Sequence, residues 1–327
     1  MSFKIEKIKL SKWLVKEIDP LYPHKEKLIE IIETIADATI PIRGLLERGI
    51  SSREIKHRMN IEETDANSKN IFNETQIHED VLTHSIILKA LTESNASFSY
   101  IASEEAAPVL GEGIFGITID PVDGSTNVAV NRTVGTIIGI YNETGNIICG
   151  FYVLYGIFTN LVIAINNKVA EFMLDNSPYS MTFYHYVFQE LKFMPNQQEG
   201  GIRCIGGDST QWNETFKKYE QILIQHHLKD RYSGSFVGDI HAILNYGGVY
   251  AYFPSPKPKI RVYYEWLPLA FIIKTLVGEF LALDSKNKTK YLEEIPLLKK
   301  DNVKELHTLC YGGIIGSKKA VNLYLTI

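Results

Sequence analysis

Two groups of acidic residues, fifteen positions apart, are the part of this sequence best suited to chemistry. They are Ser103-Glu104-Glu105 and Asp120-Pro121-Val122-Asp123-Gly124-Ser125-Thr126-Asn127. Hard divalent cations take carboxylate oxygens as ligands, and the backbone N–H groups of Gly124 and Ser125 can donate to an anion. Carboxylates for a metal beside amides for a phosphate favour metal-assisted phosphoryl transfer. The alternative, an acidic turn that only caps a helix at Ser125 or Thr126, explains the second group but not the glutamate pair.

Apolar runs in front of both groups predict the strands that position them. Ile114-Phe115-Gly116-Ile117-Thr118-Ile119 is β-branched and leads directly into Asp120, so we expect a buried strand with carboxylates at its C-terminal end. Phe98 to Ala102 alternates like a short strand and ends at the glutamate pair. A helical stripe of roughly fifteen residues begins near Asp80, which by itself is typical of a helix cap.

The remaining periodicity predicts an α+β fold. Residues 25–40 form a helical stripe that should end at Pro41, with a short second helix at 42–48 and a long polar loop at 50–75. Two hairpins are predicted, 136–141 with 147–153 and 161–165 with 170–174. Helices are expected at 215–228, 238–244 and 268–277, strands at 249–253 and at 260–264 just before Glu265, and a proline-rich turn at 255–258. Antiparallel strands in this number favour layered sheets over a purely parallel sheet.

Length and composition limit the class of protein. The 327 residues, 45% hydrophobic and 22% charged, are typical of a soluble chain with one large or two closely packed domains. We place the boundary in the polar stretch 175–200, giving a metal- and phosphate-binding domain at 1–197 and a second domain at 198–327. The net charge of −4 argues against nucleic-acid binding, and no apolar run is long enough for a membrane span. Three scattered cysteines and no signal-peptide core favour the cytoplasm.

Three ordered motifs resemble a known family. The acidic motifs above are followed by Arg231-Tyr232-Ser233-Gly234-Ser235-Phe236-Val237-Gly238-Asp239-Ile240-His241, then by Lys259-Ile260-Arg261-Val262-Tyr263-Tyr264-Glu265. In this order they are similar to the class I fructose-1,6-bisphosphatases of the lithium-sensitive, metal-dependent sugar phosphatase superfamily. The resemblance covers roughly residues 25–320. It implies a layered α-β-α-β-α fold with two mixed or antiparallel sheets, and Mg²⁺-dependent hydrolysis of the 1-phosphate of fructose 1,6-bisphosphate to fructose 6-phosphate in gluconeogenesis.

The resemblance also implies roles for the acidic residues. Two to three Mg²⁺ or Mn²⁺ ions would be held by four carboxylates and one carbonyl, namely Glu104, Asp120, Asp123, Glu265 and the carbonyl of Val122. Asp80 and Glu105 match the pair that orients and deprotonates the attacking water. Glu74 falls at the position of an aspartate on a mobile loop that closes over the metals, which gives the 50–75 loop a gating role.

The same resemblance assigns the substrate contacts. Gly124 and Ser125 would bind the scissile phosphate. Tyr232, Tyr252 and Lys259, with Arg261 nearby, would hold the sugar and its distal phosphate. Arg231 matches an arginine that reaches into a neighbouring subunit's site, which implies a dimer or tetramer. From residue type alone, the tyrosines would be half-buried sheet residues and the basic residues plain surface charge.

Two departures from the family pattern leave the substrate open. An expected Asn-x-Gly-Tyr stretch at the distal phosphate is replaced by Gly206-Gly207-Asp208-Ser209. The turn and the Lys-Tyr pair of the AMP inhibitory site are replaced by 21–27 and by Ile114-Phe115, so we expect no AMP inhibition of that kind. A sedoheptulose-1,7-bisphosphatase, or an enzyme of dual specificity, shares every motif and is the alternative enzyme. A sugar-phosphate-binding regulator without turnover is the alternative from another class.

Overall fold

The computed structural model describes residues 8–47, 78–175, 185–189, 201–253, 259–284 and 288–327. The predicted 50–75 loop, with Glu74 in it, and the predicted 255–258 turn therefore lie outside the described residues. Eight described strands form the first sheet: β1 (Phe98–Ser103), β2 (Ala106–Leu110), β3 (Phe115–Asp123), β4 (Val134–Tyr141), β5 (Ile147–Tyr155), β6 (Thr159–Ile165), β7 (Lys168–Asp175) and β8 (His185–Gln189). Their order is β2-β1-β3-β4-β5-β6-β7-β8, and within it only β1 and β3 run parallel.

The second sheet is built from the other half of the chain. Its described strands are β9 (Ile202–Gly206), β10 (Lys229–Asp230), β11 (Gly248–Tyr252), β12 (Glu279–Leu283), β13 (Thr289–Lys290) and β14 (Gly312–Gly316). They lie in the order β10-β9-β11-β14-β12-β13, with β9 parallel to both of its neighbours and the other pairs antiparallel. Both sheets are therefore mixed.

Helices form three layers around these sheets. The described helices are α1 (Leu10–Glu17), α2 (Lys25–Glu47), α3 (His78–Glu93), α4 (Glu214–Gln225), α5 (Phe236–Tyr246), α6 (Leu267–Thr275), α7 (Val303–Leu306) and α8 (Lys318–Asn322). Helices α1 to α3 cover one face of the first sheet, where Trp13, Ile32 and Ile87 share a core with Ile117 and Phe151. Helices α4 and α8 cover the outer face of the second sheet. Helices α5 and α6 fill the space between the sheets, so the α-β-α-β-α layering is confirmed.

Strand alternation explains why the middle layer joins both halves. On β5, Phe151 and Val153 face the outer helices, while Tyr152 and Leu154 face the middle layer. On β11, Tyr250 faces the middle layer, while its two neighbours face outward. Successive side chains of a strand point to opposite faces, so each sheet contributes to two cores. The middle core therefore contains residues from both sides of the predicted domain boundary, and that boundary stays a prediction.

Two of the predicted elements are wrong. Helix α2 does not end at Pro41 but continues to Glu47, with Pro41 exposed inside it. Proline removes one helical hydrogen bond, but the fully buried Ile35 and Ile42 on either side keep the helix packed on the sheet. Residues 260–264 are not a strand, because Val262–Trp266 forms a π-helical turn that runs directly into α6. Periodicity cannot distinguish a short buried strand from a buried helical segment.

The other predicted helices and strands are present with shifted ends. Strand β3 does not stop before Asp120 but continues through Pro121 to Asp123, and all nine of its residues are buried. Strands β2, β8, β9, β10, β12, β13 and β14 were not predicted. Over the described ranges, no helix combines the length and the apolar character that a membrane crossing needs.

Candidate active site

Three buried carboxylates converge where the two halves of the chain meet. Asp120, Asp123 and Glu265 each offer an oxygen, and these oxygens all lie within 4.8 Å of one another. The end of β3 supplies both aspartates, and the π-helical turn before α6 supplies the glutamate. The backbone N–H of Arg261 donates to Glu265 Oε2 at 2.6 Å, which fixes the glutamate against its own turn.

An irregularity in the sheet places the two aspartates together. Asp120 pairs with Ile137 of β4 and Asp123 with Gly135, so three steps on one strand oppose two on the other. In a regular strand, residues three apart point to opposite faces. The extra residue of the bulge reverses that alternation and directs both carboxylates to the same side.

The N-terminus of α5 holds Asp123. Ser235 Oγ donates to Asp123 Oδ2 at 2.7 Å, and the backbone N–H of Val237 donates to the same oxygen at 2.8 Å. Ser235 also caps the helix by accepting from the Gly238 N–H at 3.1 Å. A carboxylate at a helix N-terminus is stabilised by the free N–H groups and by the helix dipole. One oxygen of Asp123 is thereby fixed, and its orientation is set.

Gly124 is required at the turn that follows Asp123. Its φ is +76°, in the left-handed region that favours glycine. A Cβ there would also lie 2.7 Å from Ser235 Cβ. Gly124 is the N-cap of the 3₁₀ helix Ser125–Val130, so Gly124 and Ser125 lie at its N-terminal end. Their binding of a phosphate stays a prediction.

Arg261 balances part of the acidic charge. Its Nη1 lies 3.0 Å from Glu104 Oε1, and both side chains are largely buried. The sequence predicts Arg261 as a substrate residue, and the structure places it beside the carboxylates Glu104 and Glu265. An arginine buried with carboxylates reduces their mutual repulsion, although removing two charges from water is costly.

Burial and the repulsion that remains among the carboxylates raise their pKa values. Burial raises the pKa of Asp120 well above its ordinary range, and the nearby Glu104, Asp123, Glu265 and Asp80 carboxylates raise it further. Burial, and then Glu104, raise the pKa of Glu265 well above its ordinary range. Burial raises the pKa of Asp123 to about 6, against the lowering effect of the Ser235 and Val237 hydrogen bonds.

Such a group of oxygens fits a divalent cation. Buried carboxylates that repel one another are stabilised when a cation binds between them, and oxygen ligands suit Mg²⁺ or Mn²⁺. Asp120, Asp123 and Glu265 would hold the first ion. Glu104, predicted as a further ligand, is close enough to raise two of their pKa values and pairs with Arg261. Val122, predicted to donate its carbonyl, lies between the two aspartates on β3.

The two residues predicted to act on water lie on α3 and in the turn after β1. Asp80 is buried in the first turn of α3 and is close enough to raise the pKa of Asp120. Glu105 is half-buried in the tight turn between β1 and β2, where its N–H donates to Ser103 Oγ at 3.3 Å. His84 Nδ1 lies 2.9 Å from the same hydroxyl and ties α3 to that turn. The sequence analysis did not single out His84, although its i, i+4 spacing from Asp80 puts the two on one face of the helix.

The predicted sugar contacts lie at the edge of the second sheet. A Cβ added to Gly206 would lie 2.7 Å from Tyr252 Cδ2 and 2.8 Å from the Tyr232 hydroxyl, so the two tyrosines flank Gly206. Arg231, which precedes Tyr232 in the sequence, and Lys259, a few residues after Tyr252, are both exposed. Gly206 begins the segment that departs from the family pattern, and Asp208 in it turns its carboxylate to the Thr210 N–H at 2.9 Å.

Ser235 and the N–H of Val237 are site groups that the sequence analysis missed. The helix was predicted to begin at Gly238, whereas it begins at Phe236 with Ser235 as its cap. A serine followed by an apolar helical stripe is an N-cap signal that locates this start.

Two family models match the chain. The N-terminal domain of fructose-1,6-bisphosphatase matches residues 53–185, and the C-terminal domain of the same enzyme matches residues 196–321. A class 1 fructose-1,6-bisphosphatase from Methanocorpusculum labreanum is 34% identical over 83% of this chain and 80% of its own length. One from Helicobacter pylori is 30% identical over 79% of this chain and 87% of its own length. The chain belongs to the fructose-1,6-bisphosphatase family.

The solved structures agree with the family at the level of fold. Fructose-1,6-bisphosphatase from Leishmania major in its holo form superposes with a TM-score of 0.78, covering 98% of this chain and 99% of that one at 21% identity. Family membership makes this chain a phosphatase. It also fits the carboxylate cluster, because hydrolysis of phosphate monoesters by divalent metals needs such a ligand set.

The contact between Ser235 and Asp123 predicts a defect in metal use. In Ser235→Ala, Asp123 loses its hydroxyl donor, so we expect the Mg²⁺ concentration for half-maximal activity to rise by about 10- to 100-fold. Loss of the cap should also lower the free energy of unfolding by about 0.5–2 kcal/mol. Magnesium titrations of phosphate release and thermal unfolding measure the two effects.

Asn213→Ala is the matched control. Asn213 caps α4 by accepting from the Phe216 N–H at 2.8 Å, and α4 contributes to the outer core rather than to the carboxylate cluster. This variant should lose similar stability and keep the wild-type magnesium requirement. An unchanged requirement in Ser235→Ala would contradict the positioning role.

The raised pKa values predict that metal binding depends on pH. Without metal, folded Asp123 keeps its proton up to about pH 6, whereas the unfolded chain releases it near 3.8. The folded state binds more protons in this window, so this contribution to stability is lost as the pH rises from about 4 through about 6. The increase in Tm on adding Mg²⁺ should therefore be larger at about pH 7.5 than at about pH 5.5, because fewer protons must be displaced.

Calorimetry with and without Mg²⁺ at the two pH values measures this difference. In Asp123→Asn the position no longer titrates, so the difference between the two pH values should shrink. Equal increases in Tm at both pH values in the wild type would show that the carboxylates do not govern metal binding.

Proposed function

We propose that this chain is a Mg²⁺-dependent phosphatase that removes the 1-phosphate of fructose 1,6-bisphosphate in gluconeogenesis. The observation that carries the proposal is the buried cluster of Asp120, Asp123 and Glu265, which fits divalent metal, beside the Gly124–Ser125 turn, which fits phosphate. The relatives named above are fructose-1,6-bisphosphatases, and this substrate is taken over from them.

The chain's own residues have distinct roles in this proposal. Bound divalent ions would supply Lewis-acid stabilisation of the attacking and leaving oxygens. The N–H groups of Gly124 and Ser125 donate to the phosphate oxygens and hold the phosphate in line. Asp80 and Glu105 orient a water molecule, and one of them takes its proton. Burial of the cluster excludes bulk water, so these electrostatic interactions are strong.

The second sheet would bind the rest of the substrate. Tyr232 and Tyr252 offer hydroxyl groups on either side of Gly206, and Lys259 supplies a positive charge for a distal phosphate. Gly206-Gly207-Asp208-Ser209 favours a second candidate, a seven-carbon sugar bisphosphate. The reason is that two side chains expected at the distal phosphate of a six-carbon substrate are missing from this segment.

A panel of phosphate esters tests the substrate. Wild-type protein with Mg²⁺ should release phosphate from fructose 1,6-bisphosphate with a higher kcat/KM than from sedoheptulose 1,7-bisphosphate or inositol 1-phosphate. A higher value for the seven-carbon substrate would select the second candidate. No release from any of the three would favour a binding protein without turnover.

Glu105→Gln tests the chemistry. It keeps the size of the side chain and removes the base, so kcat should fall by roughly 10²–10⁴-fold with little change in KM. The control is Glu112→Gln, an acid on the loop after β2 whose side chain is 95% exposed and pairs with Lys300 at 2.9 Å. Wild-type turnover in Glu105→Gln would remove this residue from the mechanism.

Arg231 tests the proposed homo-oligomer. This arginine is exposed, and we propose that it completes the site of a neighbouring copy. Arg231→Ala should raise KM with little change in kcat. Mixed with an inactive Asp123→Asn protein, which still carries Arg231, it should recover the wild-type KM in mixed oligomers. A KM that stays high after mixing would mean that Arg231 acts within its own subunit or not at all.

A further inference from the structure

A separate cavity lies between α2 and the first sheet. Its volume is about 340 Å³, within the range of small-ligand pockets. Three segments form its walls: the last turns of α2 with Arg43 and Leu46, the loop 131–134 that leads into β4, and the turn between β5 and β6. It shares none of these lining residues with the carboxylate cluster or the predicted sugar contacts, and neither the proposed reaction nor the family comparison uses it.

The charge of this cavity is positive. Arg43 and Arg132 both line it, and no Asp or Glu is among the described residues of its wall. The chain as a whole carries a net charge of −4, so a wall with two arginines and no acid is a local reversal of sign. No ion pair joins Arg132 to a carboxylate among the described residues. Two guanidinium groups around one cavity suit an anion, and phosphate matches the forked geometry of arginine.

Both arginines stand on fixed supports. Arg43 Nη1 donates to the hydroxyl of Thr159, a buried residue at the start of β6. On the opposite wall, the backbone N–H of Arg132 donates to the Asn127 carbonyl at 3.0 Å, and the Asn127 side-chain amide donates to the Thr133 carbonyl at 3.3 Å. A site whose supports are already ordered loses little entropy when a ligand binds.

The other lining groups indicate an organic ligand rather than a bare ion. Leu46, Val128, Val134 and Ile157 give the cavity apolar surface, and Thr133 and Thr159 give it hydroxyl groups. Apolar surface combined with a few placed polar groups is what a site for a small organic molecule needs. We propose that this cavity binds a small organic phosphate, with the phosphate between Arg43 and Arg132 and the carbon skeleton against the apolar wall.

The cavity is connected to the catalytic turn by one short element. Val128 in the wall and Ser125 at the phosphate turn belong to the same 3₁₀ helix, Ser125–Val130. Asn127 of that helix donates both to Thr133 in the wall and, at 3.2 Å, to the carbonyl of Ser233 next to the α5 cap. A ligand in the cavity therefore contacts the far end of the helix whose first residue meets the substrate phosphate, which makes it an effector site by position.

Calorimetric titration of the full-length chain with methyl phosphate, in the presence of EDTA, tests the inference. Without metal, the buried carboxylates repel phosphate from the catalytic site, so the titration reports the cavity. Wild-type protein should bind one methyl phosphate per chain. Arg132→Gln should bind methyl phosphate at least about tenfold more weakly, because it loses a hydrogen bond to a charged group. Arg132 is exposed, so this variant should keep its fold, which circular dichroism checks.

Two controls separate this site from others. Lys304→Gln removes one exposed positive charge elsewhere, and Lys259→Gln removes the cation proposed for the distal phosphate; both should keep the wild-type affinity. Equal affinity in Arg132→Gln, or loss of binding in Lys259→Gln, would overturn the inference. Absence of binding in the wild type, with a sedimentation coefficient of Arg132→Gln that differs from the wild-type value, would also overturn the inference. That result is expected if a second copy of the chain covers the cavity. None of these readouts requires turnover, so they stand apart from a failure of the proposed function.

Discussion

Mutual repulsion among buried carboxylates is the constraint on which the rest of this structure depends. Asp120, Asp123 and Glu265 are buried within a few ångströms of one another, and Glu104 adds a fourth charge at their side. Burying even one isolated carboxylate costs several kcal/mol. The fold offsets this cost with two fixed features, the N-terminus of α5 at Asp123 and Arg261 at Glu104, and leaves the remainder to a divalent cation. Metal affinity and instability without metal therefore have the same origin.

The three apolar layers provide the stability that this arrangement needs. The middle core joins both sheets through α5 and α6, and these two helices position the α5 cap and the glutamate turn. A loss of packing in that core would move Ser235 or Glu265 away from β3. The site therefore forms only when both halves are folded against each other, whatever their independence as domains.

In the proposed function, the chemistry and the choice of substrate depend on different elements. The proposed metal and phosphate contacts lie on β3, on the turn after it and on the turn before α6, whereas the proposed sugar contacts Tyr232 and Tyr252 lie at strand ends of the second sheet. Changes such as Gly206-Gly207-Asp208-Ser209 can thus alter the sugar without altering the reaction. The arginine cavity is lined by Val128, which belongs to the 3₁₀ helix that begins at Ser125.

The sequence by itself determined the reaction type, an α+β fold and the carboxylates of the two acidic groups, because residue type and local spacing specify oxygen ligands, turns and buried runs. The layered arrangement and the site role of Glu265 rested on the resemblance to the family. The element predicted for Glu265 was wrong, since a fully buried five-residue run has no period that separates a strand from a π-helical turn. Tertiary structure alone decided that Asp120 and Asp123 point the same way, because a bulge depends on the partner strand β4. It also decided that Ser235 holds Asp123 across 112 residues of chain. Tertiary structure also decided the cavity between Arg43 and Arg132. No sequence motif marks either arginine, and only the packing of α2 against the sheet brings them to one site.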